Sequence, residues 1–136
     1  MRKELNILVE RYGKQLVQRS LSEQITMFRD NMFQLMEQTN NYLQANLKHI
    51  SHREASELGI KIQEFAEIIN GLNKLEKRDI SKNQIDIIKV LVMKQYNQSQ
   101  QVYFNMASSM NEEENENYMN HFLLPYLLLN WFLERQ

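Results

Sequence analysis

The feature that most constrains this chain is an apolar run near its end, from His121 to Phe132. The run reads His-Phe-Leu-Leu-Pro-Tyr-Leu-Leu-Leu-Asn-Trp-Phe and holds the only proline and the only tryptophan of the sequence. A helix that is apolar on every side has to be covered on more than one side. Other helices, a partner chain or a bound apolar ligand could supply this cover. Crossing a bilayer takes about 20 residues, so the run is too short and we expect no membrane span.

The sequence as a whole is organised as amphipathic helices in a single domain, residues 1–136. Three glycines and one proline in 136 residues are few, which favours long helices over a turn-rich β fold. Apolar residues recur three and four positions apart through most of the chain, as they do on the buried face of a helix. The sequence therefore predicts an all-α fold of five to six helices around one core.

Candidate N-terminal caps divide the chain into these helices. A first helix is predicted over residues 3–19, and Ser22 is the expected cap of a second helix that runs to about residue 47. Ser51 and Ser81 each stand three residues before a Glu or a Gln, which is the spacing of a capping box. These two serines are therefore expected to open the third and fourth helices.

The final helix is predicted to run from its cap, Asn111, to about Arg135. Glutamates at 112–114 would lie in its first turn, where carboxylates are favoured by the helix dipole. Pro125 lies inside this helix and cannot donate a backbone hydrogen bond to residue 121. We therefore expect the helix to bend there.

Composition and motifs argue against several classes of function. Because the chain has no cysteine, it has no disulfides and no thiolate metal sites, and we expect a cytoplasmic protein. A net charge of −1 argues against nucleic acid as the main partner. His49 and His52 lack a third ligand at metal-binding spacing, and His121 is expected to be a hydrogen-bonded packing residue. Since no catalytic motif is present either, we expect neither a metal site nor an enzyme.

The chain has many large apolar side chains for five helices. They either fill the core or line a pocket that takes an apolar ligand, and the residue types alone leave both interpretations open. For a ligand with a carboxylate head group, Arg29, Lys94 or one of the histidines would be the partner at the pocket mouth. The candidate pocket residues are Phe28, Met32, Phe33, Phe65, Ile69, Val92, Tyr96, Tyr103, Phe122 and Tyr126.

The closing apolar run offers more surface than one neighbouring face can cover. The apolar faces of the second and third helices are expected to cover one side of it. The other side lies at the end of the chain and is expected to meet a symmetric partner through Leu124, Leu128 and Trp131. The sequence therefore predicts a homodimer.

Five long helices at this chain length, with the last two longest and most aromatic, resemble a globin. The proximal haem histidine of a globin would fall between the third and fourth long helices. The corresponding segment here, residues 71–83, contains no histidine. Haem would therefore lack its axial ligand, and the resemblance implies a globin-like fold without haem.

The closing pattern is an aromatic and aliphatic run with Pro125 inside it, followed by Asn130-Trp131-Phe132. It is similar to the end of the non-haem globin sensor domains of Bacillus stress and sporulation regulators. In length and free-standing architecture the chain resembles the plasmid-encoded sporulation-inhibitory sensor-domain proteins of the Bacillus anthracis group. The resemblance implies a fatty acid in a hydrophobic tunnel, the capacity to hold a halide ion, and a dimer formed through the C-terminal helices.

The same resemblance implies a signal-sensing protein that inhibits sporulation. It would capture the signal, or pair with the sensor of a homologous histidine kinase, and so antagonise that kinase. A second class of function is also open, a ligand-free helical interaction module or regulator antagonist that acts through its last helix. The closing apolar helix would then be covered by a partner chain rather than by a ligand.

Overall fold

Helices make up all the regular secondary structure in residues 2–136, the part of the chain that the computed structural model describes, with side chains from Lys3 onward. The expected all-α fold in one domain is confirmed. The long helices are α1 (Arg2–Leu16), α2 (Leu21–Asn46), α3 (His52–Glu76) and α4 (Lys82–Met106). A 3₁₀ turn (Ala107–Ser109) leads to α5 (Glu112–Tyr118), a π-helical turn (Met119–Leu123) and α6 (Leu124–Glu134).

Side-chain caps open the four helices from α2 to α5, and most of them are the predicted ones. The hydroxyl of Ser51 accepts a backbone N–H at 3.1 Å, and Ser81 forms a complete capping box with Gln84. The Asn111 side chain caps α5 in the same way, accepting a backbone N–H at 2.8 Å. These three caps are confirmed, because each satisfies an N–H group that a helix start leaves free.

The predicted cap of α2 was wrong by two residues. Ser20, rather than Ser22, accepts the backbone N–H of Glu23, at 3.1 Å. The Ser22 hydroxyl instead donates to a Glu76 carboxylate oxygen at 3.0 Å, at the far end of α3. α2 therefore begins at Leu21, and the serine inside its first turn ties it to its neighbour.

The apolar helix α6 lies between α1 and α4 and also touches α2, while α2 and α3 pack along each other as a helical hairpin. The ring of Phe28 lies 5.0 Å from that of Phe132, and Phe65 stacks on Tyr126 at 6.5 Å between centroids. Helices of the same chain therefore supply the cover that α6 needs. No helix within residues 2–136 is both long enough and apolar enough to cross a membrane.

The approach of α1 to α6 depends on Gly13. A Cβ atom at this position would lie 2.7 Å from Cζ2 of Trp131, inside any ordinary contact distance. The indole itself is only 9% exposed, and the Arg135 guanidinium lies over it at 3.6 Å from the ring centroid. The absence of a side chain at Gly13 thus lets the indole of the only tryptophan pack directly against α1.

The π-helical turn is the structural consequence of Pro125. A proline has no N–H to donate, so the regular hydrogen-bond ladder has to be broken near it. Here the break takes the form of a wider turn, in which the Leu124 N–H donates to the carbonyl of Met119, five residues earlier. Such a turn inserts an extra residue and reorients the helix face. It places His121 and Phe122 at the surface beside α1 and α2.

Candidate functional site

Two open clefts lie on either side of Phe122 and are the candidate binding sites of the fold. We name them the Lys61 cleft, about 720 Å³, and the Arg19 groove, about 480 Å³. Both volumes fall in the range of small-molecule sites. The two clefts share Leu35, Gln38 and Phe122 as lining residues, so a thin wall of side chains separates them.

The Lys61 cleft is formed by α2, α3, α4 and the segment around the π turn. Its floor consists of the buried side chains of Leu35, Phe65 and Tyr126. Its rim is strongly charged, with two lysines opposed by glutamates of α3. The charged residues of the cleft are Glu54, Glu57, Lys61, Glu64 and Lys94. Because three carboxylates face two ammonium groups, the cleft carries no excess of positive charge.

A hydrogen-bonded network holds the most buried of these carboxylates. Glu64, whose side chain is only 12% exposed, accepts from the Lys94 ammonium at 2.8 Å. Its other oxygen accepts from the amide Nε2 of Gln95 at 3.3 Å. This pairing stabilises the buried charge, since an unpaired carboxylate would be costly there. The amide Oε1 of Gln95 is buried without a hydrogen-bond partner.

Lys61 differs from Lys94 in having no such partner. Among the described residues, no hydrogen bond or ion pair reaches its ammonium group. Burial lowers the pKa of this lysine below its usual value, and the neighbouring charge of Glu64 raises it to a smaller extent. Both directions follow from ordinary electrostatics, because a low-dielectric surrounding disfavours the charged form and a nearby carboxylate favours it.

The Arg19 groove lies between the end of α1, the middle of α2 and the π turn. Its buried walls are aliphatic, formed by Leu16, Leu35, Leu124 and Leu128. Its described lining includes five amide side chains, one arginine and one histidine, but no acidic residue. These polar residues are Gln15, Arg19, Asn31, Gln34, Gln38, Asn120 and His121. The groove therefore combines an apolar interior with a mouth that favours an anion.

The positions of Arg19 and His121 are set by short-range hydrogen bonds. The carbonyl of Arg19 accepts from the side-chain amide of Gln24 at 2.8 Å, which holds the turn between α1 and α2. Its guanidinium makes no ion pair with any described residue. Nδ1 of His121 donates to the carbonyl of Asn117 at 3.0 Å, because a carbonyl can only accept. This bond leaves Nε2 of the imidazole free to meet a ligand.

The structure brings only part of the predicted pocket set together at these clefts. Phe65, Phe122 and Tyr126 line the Lys61 cleft, and Phe122 also lines the Arg19 groove. Phe33 is 52% exposed and lines neither of them. The remaining predicted residues are fully or partly buried in the core and are Phe28, Met32, Ile69, Val92, Tyr96 and Tyr103.

The predicted head-group partners lie at different places. Arg29 lies outside both clefts, where it donates to Asn73 at 2.7 Å and pairs with Glu76 at 3.3 Å. Lys94 lines the Lys61 cleft but is engaged by the carboxylate of Glu64. His121 lines the Arg19 groove, as an exposed and hydrogen-bonded residue. The other two predicted candidates, the histidines at 49 and 52, are exposed at the turn from α2 to α3.

The three predicted dimer residues lie inside the single chain. Leu124, Leu128 and Trp131 are buried, the first two along the Arg19 groove and the third against Gly13. Their apolar surface is already covered by α1 and α2. A partner chain would have to displace α1 to reach Trp131, and it would reach Leu124 and Leu128 only through the Arg19 groove.

Two polar residues of the clefts, Arg19 and Lys61, were not among the predicted site residues. Lys61 lies between Leu58 and Phe65 on the apolar face of α3, so a helical projection could have pointed to it. Arg19 follows the last turn of α1, and only its position beside the π turn distinguishes it. No sequence pattern predicts that neighbourhood, because it depends on how α1 packs on α6.

No group of three or more potential metal ligands occurs among residues 2–136. Comparison of the chain with protein-family models, curated proteins and solved structures found no match. The globin-like arrangement of the helices therefore stays a prediction.

Proposed function

We propose that the chain is a non-catalytic, signal-sensing protein that binds a fatty-acid-like ligand in the Arg19 groove. The observation that carries this proposal is the pairing of an aliphatic interior with an arginine that has no acidic partner. Arg19 stands at the mouth, and Leu16, Leu124 and Leu128 line the interior. A guanidinium binds a carboxylate through charge-assisted hydrogen bonds, while buried methylenes contribute through the hydrophobic effect.

The Arg19 groove suits such a ligand better than the Lys61 cleft does. A carboxylate in the Lys61 cleft would meet Glu54, Glu57 and Glu64 as well as the two lysines. Like charges at close range disfavour binding, so the larger cleft is the weaker candidate for an anion. In the Arg19 groove the head group meets a guanidinium, an imidazole and neutral amides.

The biological part of the proposal comes from the resemblance to non-haem sensor domains. By capturing the fatty acid, or by pairing with the sensor of a homologous histidine kinase, the protein would antagonise that kinase and inhibit sporulation. A homodimer and a halide site belong to the same proposal. The dimer surface would have to differ from the predicted one, since Leu124, Leu128 and Trp131 are covered within the chain. A ligand-free module acting through the last helix would have to use the open Arg19 groove, whose interior Leu124 and Leu128 line.

Binding is tested with dodecanoate and the matching alcohol, dodecanol. Both should raise the unfolding temperature of the wild type, because a ligand that binds only the folded state stabilises it. Arg19→Gln should weaken dodecanoate binding about tenfold, as expected from losing one charge-assisted hydrogen bond of about 1.5 kcal/mol, and should leave dodecanol unchanged. Arg11→Gln replaces an exposed arginine of α1 that lies outside the groove, so it is the matched control and should change neither.

A series of fatty acids tests the apolar half of the site. Each buried methylene contributes about 0.8 kcal/mol, so Kd should fall about fourfold per added carbon until the groove is full. The proposal fails if neither probe shifts the unfolding temperature and lipid extracts of the purified protein are empty. Expression in a sporulating Bacillus tests the biological part, where the wild type should lower the spore count more than Arg19→Gln does.

A further inference from the structure

Lys61 occupies an unusual position for a lysine in a helical protein. It lines a cleft with a buried floor of Phe65 and Tyr126, and it is itself only partly exposed. On a helix, its natural ion-pair partners are acidic residues three or four positions away, which here are Glu57 and Glu64. Either carboxylate could hold the ammonium group in place.

Both carboxylates are engaged by other cations. Glu57, at the rim of the cleft, forms a solvent-exposed pair with Arg53 at 3.2 Å. Glu64 pairs with Lys94 of α4 at 2.8 Å. The Lys61 amine is consequently left in the cleft without a bonded partner among the described residues. The cleft thus holds two lysines of different character, one bound to a carboxylate and one unbound.

The other charged and titratable groups of the cleft do not restore a strong partner for Lys61. Glu54 is an exposed residue one turn before Glu57, and Lys94 contributes a positive charge from the opposite helix. The tyrosines that line the cleft from α2 and from the C-terminal segment are Tyr42, Tyr118 and Tyr126. Burial raises the pKa values of the last two, so they stay neutral hydroxyls. Burial therefore remains the main influence on the pKa of the Lys61 amine, and it lowers that pKa.

We propose that Lys61 is a covalent binding site, whose amine forms a reversible imine with an aliphatic aldehyde bound in the Lys61 cleft. A neutral lysine amine is a nucleophile, and desolvation in an apolar pocket is one way in which proteins produce it. The nitrogen lone pair attacks the carbonyl carbon and forms a carbinolamine. The carbonyl oxygen then leaves as water with the two hydrogens of the amine, and a C=N bond replaces the C=O bond. No electrons are transferred, and water reverses the step.

The shape of the cleft supports this class of ligand. A volume of about 720 Å³ over an aromatic floor accommodates the hydrocarbon part of an aldehyde. An aldehyde carries no charge, so the glutamates that disfavour a fatty acid in this cleft do not oppose it. The site is therefore chemically separate from the Arg19 groove, and its test is independent of fatty-acid binding.

The experiment uses the full chain with hexanal as the probe and sodium cyanoborohydride to reduce any imine to a stable amine. Peptide mapping by mass spectrometry then measures the adduct at each lysine. We expect several-fold more adduct on Lys61 than on Lys94 of the same cleft or on the exposed Lys82. Lys61→Arg keeps the charge and should abolish adduct at that position, while Lys82→Arg, the matched control, should leave the Lys61 adduct unchanged.

The pH profile separates a reactive amine from simple accessibility. The rate of adduct formation at Lys61 should reach its half-maximum at a lower pH than the rate at Lys82, because a larger share of the Lys61 amine is neutral. The proposal is overturned if adduct is spread evenly over the lysines, or if Lys94 reacts as fast as Lys61. It is also overturned if the two pH profiles coincide. Mapping of the wild type alone decides the matter, even if a variant fails to fold.

Discussion

Replacing Gly13 by alanine tests whether the contact between α1 and Trp131 limits the stability of the fold. The new Cβ would lie 2.7–2.8 Å from three atoms of the indole, whereas carbon atoms in contact prefer about 3.5–4.0 Å. The ring would have to move by roughly 1 Å. It is rigid and buried, and the Arg135 guanidinium lies over it, so it has little freedom to do so.

The expected magnitude is the difference between two opposing effects. Alanine in a helix interior is favoured over glycine by about 1 kcal/mol, and overpacking a core costs about 1–3 kcal/mol. Gly59→Ala supplies the matched control, because nothing lies within 4 Å of a Cβ at that helical position. We expect Gly59→Ala to stabilise the protein by about 1 kcal/mol and Gly13→Ala to be about 1–3 kcal/mol less stable than that control.

The assay is urea and thermal unfolding measured by circular dichroism, which reports on all helices rather than on Trp131 alone. For a chain of 136 residues, 1 kcal/mol corresponds to about 3–4 °C in Tm. The gap between the two variants should then be about 3–10 °C. Adding Trp131→Phe to Gly13→Ala should recover part of the loss, because phenylalanine lacks the clashing outer ring. Equal stability of Gly13→Ala and Gly59→Ala would refute the reasoning.

The caps and the titrating groups give three further predictions. Ser81→Ala should cost about 1 kcal/mol of unfolding free energy in urea, because it removes the capping box of α4. Lys61→Met should stabilise the protein at neutral pH. Because the pKa of Lys61 is lowered in the folded state, the folded protein loses this proton at a lower pH than the unfolded chain does. The stability of the wild type should therefore approach that of Lys61→Met as pH rises from the folded pKa toward 10.5. Urea unfolding of both proteins between pH 7 and 10 measures this. Hydrogen bonds from Ser22 and then Arg29 lower the pKa of Glu76 in the folded state. The extra stability of the wild type over Glu76→Gln should therefore be complete above pH 4.5 and should be lost as pH falls from 4.5 through the lowered folded pKa. Acid unfolding of both proteins measures this.

Local sequence signals located most of the helix starts because a cap is a short-range interaction. Ser51, Ser81 and Asn111 each bind an N–H group three residues later, and no distant residue is needed for that. Ser22 shows where such a signal fails. Two serines were within one turn of the start of α2, and the one at 22 is engaged by Glu76 of α3. The partner of Ser22 is therefore 54 positions away along the chain, where a local capping pattern gives no information about it.

The candidate clefts were less predictable than the helices. Large apolar residues at helical spacing indicate the buried face of a helix, but they do not say whether that face borders a cavity. Phe28, Met32 and Val92 fill the core, whereas Phe122 lies between two clefts because a π turn reorients it. Pro125 has no N–H to donate, so the helix has to be interrupted near it. A kinked α-helix would have accommodated the missing N–H as well as a π turn does. Only the packed structure shows which of the two occurs.

The apolar run from His121 to Phe132 shows which properties of this protein follow from the sequence alone and which depend on the tertiary structure. Its composition alone determined that it had to be covered on several sides, because an exposed helix of this kind would leave a large apolar surface in water. The identity of the cover was decided by tertiary structure. Gly13 lets α1 approach Trp131, and this contact buries Trp131, a residue of the predicted dimer surface, within one chain. The contact between α1 and α6 depends on where two helices that are far apart in the sequence cross. Residue types and local spacing do not predict that crossing point.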